Sequence, residues 1–194
     1  MGFVHRKGVR LGVAAMASLV AVSALVYQTS TAAFSDTTDN AGNSWAAGSV
    51  TLTDNDGGSA MFTSANMVPG DVVENCITVD YTGSTFDLAA VKLYGSVTDG
   101  GLGGDLDLVV DEGTGGGFGN CTGFTVGQTV FASNTLNAFA TAHSSYANGA
   151  TGYTPAGGST SRTYRFRVTL GSDTPNSSQG TNATATFTWE VQSA

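Results

Sequence analysis

The clearest pattern in the chain is alternation. Tyr164, Phe166, Val168 and Leu170 alternate with Arg165, Arg167 and Thr169. Further on, Ala183, Ala185, Phe187, Trp189 and Val191 alternate with Thr184, Thr186, Thr188 and Glu190. A period of two puts one set of side chains on a buried face and the other on the opposite face, so both runs predict half-buried strands. The same reading predicts a strand over residues 72–81, with Val73, Ile77, Val79 and Tyr81 on one face and Glu74, Thr78 and Asp80 on the other. Residues 88–97 follow it, with Val91, Leu93 and Val97 facing one way and Lys92 the other. Leu106, Leu108 and Val110 alternate with acids, Asp105, Asp107 and Asp111, which predicts a strand with an acidic outer face.

Shorter strands are predicted over 49–53 and 128–132. The turn signal Asp54-Asn55-Asp56-Gly57-Gly58 predicts that residues 60–63 return as the hairpin partner of 49–53. Pro69-Gly70 suits the centre of a type II turn, since Pro presets the first φ and Gly takes the positive one. One helical spacing occurs, Leu136, Phe139, Ala140 and His143, with Ser133 or Asn134 as its N-cap. Glycine-rich stretches over 99–105 and 113–119 read as flexible surface connections. About eight strands and one short helix predict an all-β fold, a two-sheet antiparallel jelly-roll-like sandwich.

The apolar run at 11–27 has a different character. It follows His5, Arg6, Lys7 and Arg10, shows no alternation, and ends in Ser30-Thr31-Ala32-Ala33. A charged start, an apolar middle and small residues at the end make a secretory signal peptide, cut after Ala32 or Ala33. The competing reading is a permanent anchor, for which about 17 apolar residues lie at the lower limit. The chain therefore divides into a signal peptide (1–32), an extended N-terminal segment (33–48) and a sandwich domain (49–194). Residues 34–48 are polar, with Phe34 and Trp45 as the large apolar side chains, and can bury little by themselves.

Removing the signal peptide leaves four Lys and Arg against fifteen acids, a net charge near −11. Such a surface repels nucleic-acid phosphates and anionic lipid, so neither is expected as a partner, and membrane contact is expected only through the uncleaved signal peptide. Outside the cell, Cys76 and Cys121 are expected to form a disulfide.

Candidate chemistry is sparse. Beyond the signal peptide the chain has one histidine, His143, so a His-x-x-x-His zinc pair cannot form. Ser144 lies beside it, but adjacent side chains rarely face each other productively. Asp54-Asn55-Asp56-Gly57 resembles the start of a calcium loop, yet the twelfth position falls on Ala65. Looser calcium sites from Asp54 and Asp56, or from Asp105 and Asp107, remain readings of the sequence. No cofactor and no catalytic residue is expected.

Several stretches resemble one family. Ala32-Ala33-Phe34-Ser35-Asp36 looks like the junction recognised by SipW-type signal peptidases. Met67-Val68-Pro69-Gly70-Asp71, Ile77-Thr78-Val79, Tyr81-Thr82-Gly83-Ser84 and the closing 183–190 segment are similar to the TasA and camelysin (CalY) family. The resemblance implies a jelly-roll subunit of extracellular filaments in a biofilm matrix, partnered by further copies of itself and by other matrix proteins. It also implies that the mature N-terminus leaves its own domain and adds as a strand to the next subunit. Phe34, Ser35, Asp36 and Trp45 would belong to that donor segment, with an apolar side chain filling a slot on the neighbour. The family's metallo-endopeptidase label is a second implied reading; a calcium-dependent adhesion or binding module is a third reading, which rests on the aspartate pairs and not on the resemblance. The donor reading expects a leading segment that finds more apolar and backbone partners on another copy than on its own domain.

Overall fold

The computed structural model describes residues 35–38, 50–83 and 88–194. The expected signal peptide, its cleavage residues Ala32 and Ala33, and both Phe34 and Trp45 lie outside the described residues.

The described residues form nine strands: β1 (Ser35–Thr38), β2 (Val50–Asp54), β3 (Val72–Gly83), β4 (Lys92–Asp99), β5 (Leu106–Thr114), β6 (Thr125–Thr135), β7 (Ala150–Thr151), β8 (Gly158–Leu170) and β9 (Ala183–Gln192). One helix, α1 (Leu136–Ala142), follows β6. The strands make two antiparallel sheets, ordered β1-β9-β4-β7 and β2-β3-β8-β5-β6. The pairs β1–β9, β3–β8, β4–β7 and β5–β6 are nested one inside the next along the chain, and successive pairs fall in opposite sheets. That nesting is a jelly roll with β2 added at one edge.

Alternation fixes which faces meet. Ile77, Val79 and Tyr81 of β3, Leu106, Leu108 and Val110 of β5, and Tyr164, Phe166 and Leu170 of β8 are buried and face Leu93, Trp189 and Val191 of the other sheet. Aromatic rings join the layers. Phe166 lies 4.6 Å from Phe187 and 6.0 Å from Trp189, and Tyr164 lies 5.4 Å from Trp189, between ring centroids. Tilted and edge-on pairs at these separations add to the area they bury.

Several local expectations are corrected. Residues 60–63 form no strand, and β2 pairs with β3 instead. The Asp54–Gly58 segment does turn, with Gly57 and Gly58 at positive φ. Within that turn, however, the backbone N–H of Asn55 donates to the Thr78 carbonyl and its side chain accepts from Thr78 N–H, so β3 takes the pairing. The Pro69-Gly70 turn forms as expected, with Gly70 at φ 93° and Asp71 N–H donating to the Val68 carbonyl. The helix cap is Thr135, whose Oγ1 accepts from Ala138 N–H at 3.1 Å, rather than Ser133 or Asn134. β4 starts at Lys92, while Leu88 makes only an isolated bridge to Ser193.

The expected acidic outer face of β5 is also incomplete, since Asp111 is buried. The Cys76–Cys121 disulfide draws the loop after β5 over this face of the sheet. Arg165 Nη2 reaches Asp111 at 2.7 Å, Thr129 Oγ1 donates to it at 2.8 Å, and the Phe124 ring covers the guanidinium at 5.0 Å. A paired carboxylate under an aromatic lid can remain out of water, where a lone one could not.

Candidate functional site

β1 runs antiparallel to β9, with Ser35 opposite Gln192, Asp36 opposite Val191, Thr37 opposite Glu190 and Thr38 opposite Trp189. Two residues of the expected donor segment, Ser35 and Asp36, therefore lie on a sheet edge of their own chain. The expectation of an unpartnered leading segment is corrected for 35–38. The physical reason is the nested topology: β9 pairs with β4 on one side, and its other side would present a row of open N–H and C=O groups. β1 covers that row, but with four residue pairs, where β3 and β8 share twelve. On β9, at the position opposite Thr37, the Glu190 carboxylate is buried and accepts from Tyr94 Oη and Gln192 Nε2, both at 2.7 Å. The remaining outer strands are β7 on this sheet and β2 and β6 on the other.

The residues considered for catalysis or metal are spread apart and otherwise engaged. His143 caps the end of α1, and its ring packs 5.3 Å from Phe139 and 5.6 Å from Phe131. Its Nδ1 lies 2.7 Å from the Asn148 carbonyl, which accepts only, so Nδ1 carries the proton. Ser144 Oγ accepts from Asn148 Nδ2 rather than from the imidazole. Asp54 and Asp56 accept from N–H groups of their own turn, and Asp105 accepts from Ser178 Oγ. Among the described residues no three His, Cys, Asp or Glu side chains gather as a metal site. Cys76 and Cys121 form the expected disulfide, which is compatible with an extracellular or secreted setting. Among the described residues no helix is long and apolar enough to cross a membrane.

A second feature went unread in the sequence. At the β5–β6 edge a groove of about 430 Å³ is lined by Glu112, Thr114, Thr125, Gln128, Tyr153 and Arg162. Glu112 lies buried beneath it. Its Oε2 accepts from Tyr153 N–H at 2.8 Å, Tyr164 Oη at 3.2 Å and Gln128 Nε2 at 3.3 Å. Burial first, and then the charge of Glu112, push the Tyr164 hydroxyl well above its ordinary pKa, so it remains a donor. Glu112 was legible in principle, because it continues the inward series Leu106, Leu108, Val110 and is the one acid on it.

No protein-family model matches the chain, and no curated protein is significantly similar to it.

Proposed function

We propose that the processed chain is a secreted structural protein of an extracellular matrix or cell surface, whose copies join head to tail by exchanging β1. The observation that carries this reading is the place of β1. It adjoins the expected cleavage site and supplies the strand that closes the β9 edge, through four residue pairs. Passing β1 to the β9 edge of a neighbour replaces each backbone hydrogen bond with an identical one, so exchange has a low net cost and is governed by concentration and by the linker 39–49. Because donor and acceptor are different surfaces, repeated exchange need not close and gives filaments. The resemblance to the TasA and camelysin family supports the same reading. The uncleaved signal peptide would hold β1 at the membrane, making processing the trigger for assembly.

The test compares chains beginning at Ala33 and at Gly48 by electron microscopy and size-exclusion chromatography. The first should form filaments and the second should remain monomeric. A synthetic peptide of residues 33–43, added in excess to the longer chain, should occupy the β9 edge and stop growth. Equal assembly by both chains, or growth indifferent to the peptide, would overturn the proposal.

A further inference from the structure

We infer that the β5–β6 groove binds a short, neutral oligosaccharide, a property independent of strand exchange. The groove is built by several parts of the chain rather than left over between them. The register of β5 against β6 steps from Glu112↔Gln128 to Gly113↔Val126, so Gly127 is an extra residue bulged out of the ladder. Bulges of this kind re-aim neighbouring side chains and are frequent beside binding sites. Neither Gly113 nor Gly127 carries a side chain to fill the space. At Gly113 none could be accommodated, because a Cβ would collide with the Thr125 carbonyl oxygen. On the far side of the carboxylate a Cβ at Gly152 would stand 2.6 Å from both Glu112 Oε2 and the Tyr164 hydroxyl, so a side chain there would displace the network.

The chemistry of the groove is that of a paired acceptor and donor. Glu112 occupies an inward position on β5 where an apolar side chain would fold at less cost. Three donors hold Oε2, while Oε1 has only Arg162 Nε at 3.8 Å, beyond hydrogen-bond reach. Arg162 is steadied by its Nη1 on the Ser161 carbonyl and by the Tyr153 ring 5.1 Å beneath it, with about a third of the side chain exposed. A fixed carboxylate oxygen beside a fixed guanidinium fork matches adjacent hydroxyls, each of which donates one hydrogen bond and accepts another. Gln128, Thr114 and Thr125 extend the same mixed character along the groove. The Glu112–Arg162 pair has no net charge, and the acidic surface around it repels anions, so an uncharged polyol fits where a uronate or phosphate does not. The volume falls within the range of small-molecule sites.

Cellotriose, maltotriose and chitotriose, each titrated into isotopically labelled protein and followed by amide chemical shifts, test the inference. At least one should move the amides of residues 112–114, 125–128 and 162 and leave those of β1 and β9 in place. Arg162→Gln and Gln128→Ala, both at accessible positions, should retain the folded spectrum and bind at least about tenfold more weakly, the loss of one hydrogen bond to a charged group for the first. Shifts absent with all three sugars, shifts centred elsewhere, or binding unchanged in Arg162→Gln would each overturn it. So would tighter binding of trigalacturonate than of the neutral sugars. The assay uses the whole processed chain beginning at Ala33, at a concentration below the onset of filament growth, so failure of filament growth and failure of sugar binding are read separately.

Discussion

The two sheets of the roll are built to different standards. In the five-stranded sheet β8 pairs with β3 over twelve residues and with β5 over eight, and the disulfide ties β3 to the loop ahead of β6. In the four-stranded sheet only the central pair β4–β9 is long, with eight residue pairs. Its outer strands contribute four pairs for β1 and two for β7. Stability that scales with paired length and buried area therefore resides in one layer, while the outer strands of the other can open without unfolding the domain. An element that is to be exchanged between copies belongs on the second kind of layer.

Three measurements press on this contrast, from the largest effect to the smallest. Phe166→Ala removes a fully buried ring of β8 that packs on Phe187 and Trp189 across the sandwich. It should lower the unfolding free energy by about 3–5 kcal/mol in a denaturant titration. A loss below about 1 kcal/mol would mean that the five-stranded sheet does not carry the core. Replacing Cys76 and Cys121 together by Ser should destabilise by about 2–4 kcal/mol, since the bond closes a loop of 45 residues. The effect should appear in melting temperature and not in filament growth. The smallest energies are those of local opening. Amides of β1 and β7 should exchange with deuterium orders of magnitude faster than those of β3 and β8, whose exchange should follow global unfolding. Equal protection of β1 and β8 would break the contrast and remove the physical ground for strand exchange.

The strong alternations were legible in the sequence because each obeys a single rule over five or more residues. β8 and β9 fall where Tyr164–Leu170 and Ala183–Val191 place them, and the turn at Pro69-Gly70 forms on its own local chemistry. Pairing was less legible. Asp54–Gly58 turns as its residues dictate, but what the chain does after a turn depends on which distant strand offers an edge, and here β3 outcompetes residues 60–63. Burial of charge was the least legible. Asp111 reads as solvent-facing until the β8 and β6 ladders set Arg165 and Thr129 directly opposite it and the disulfide-tied loop lays Phe124 over the guanidinium. Glu112 reads as one more acid in an acidic run until its parity is followed one step beyond Val110. β7, two residues long, carries no periodicity to find.

The nesting of the roll also sets an order in time. β1 is the earliest described strand of the chain and β9 the last, and they lie side by side. During synthesis the slot for β1 does not exist until more than 140 residues further on have emerged and β9 has docked on β4. The leading strand is thus the final piece to be seated, and any copy that meets a neighbour whose β9 edge is still open has two equivalent places to put it.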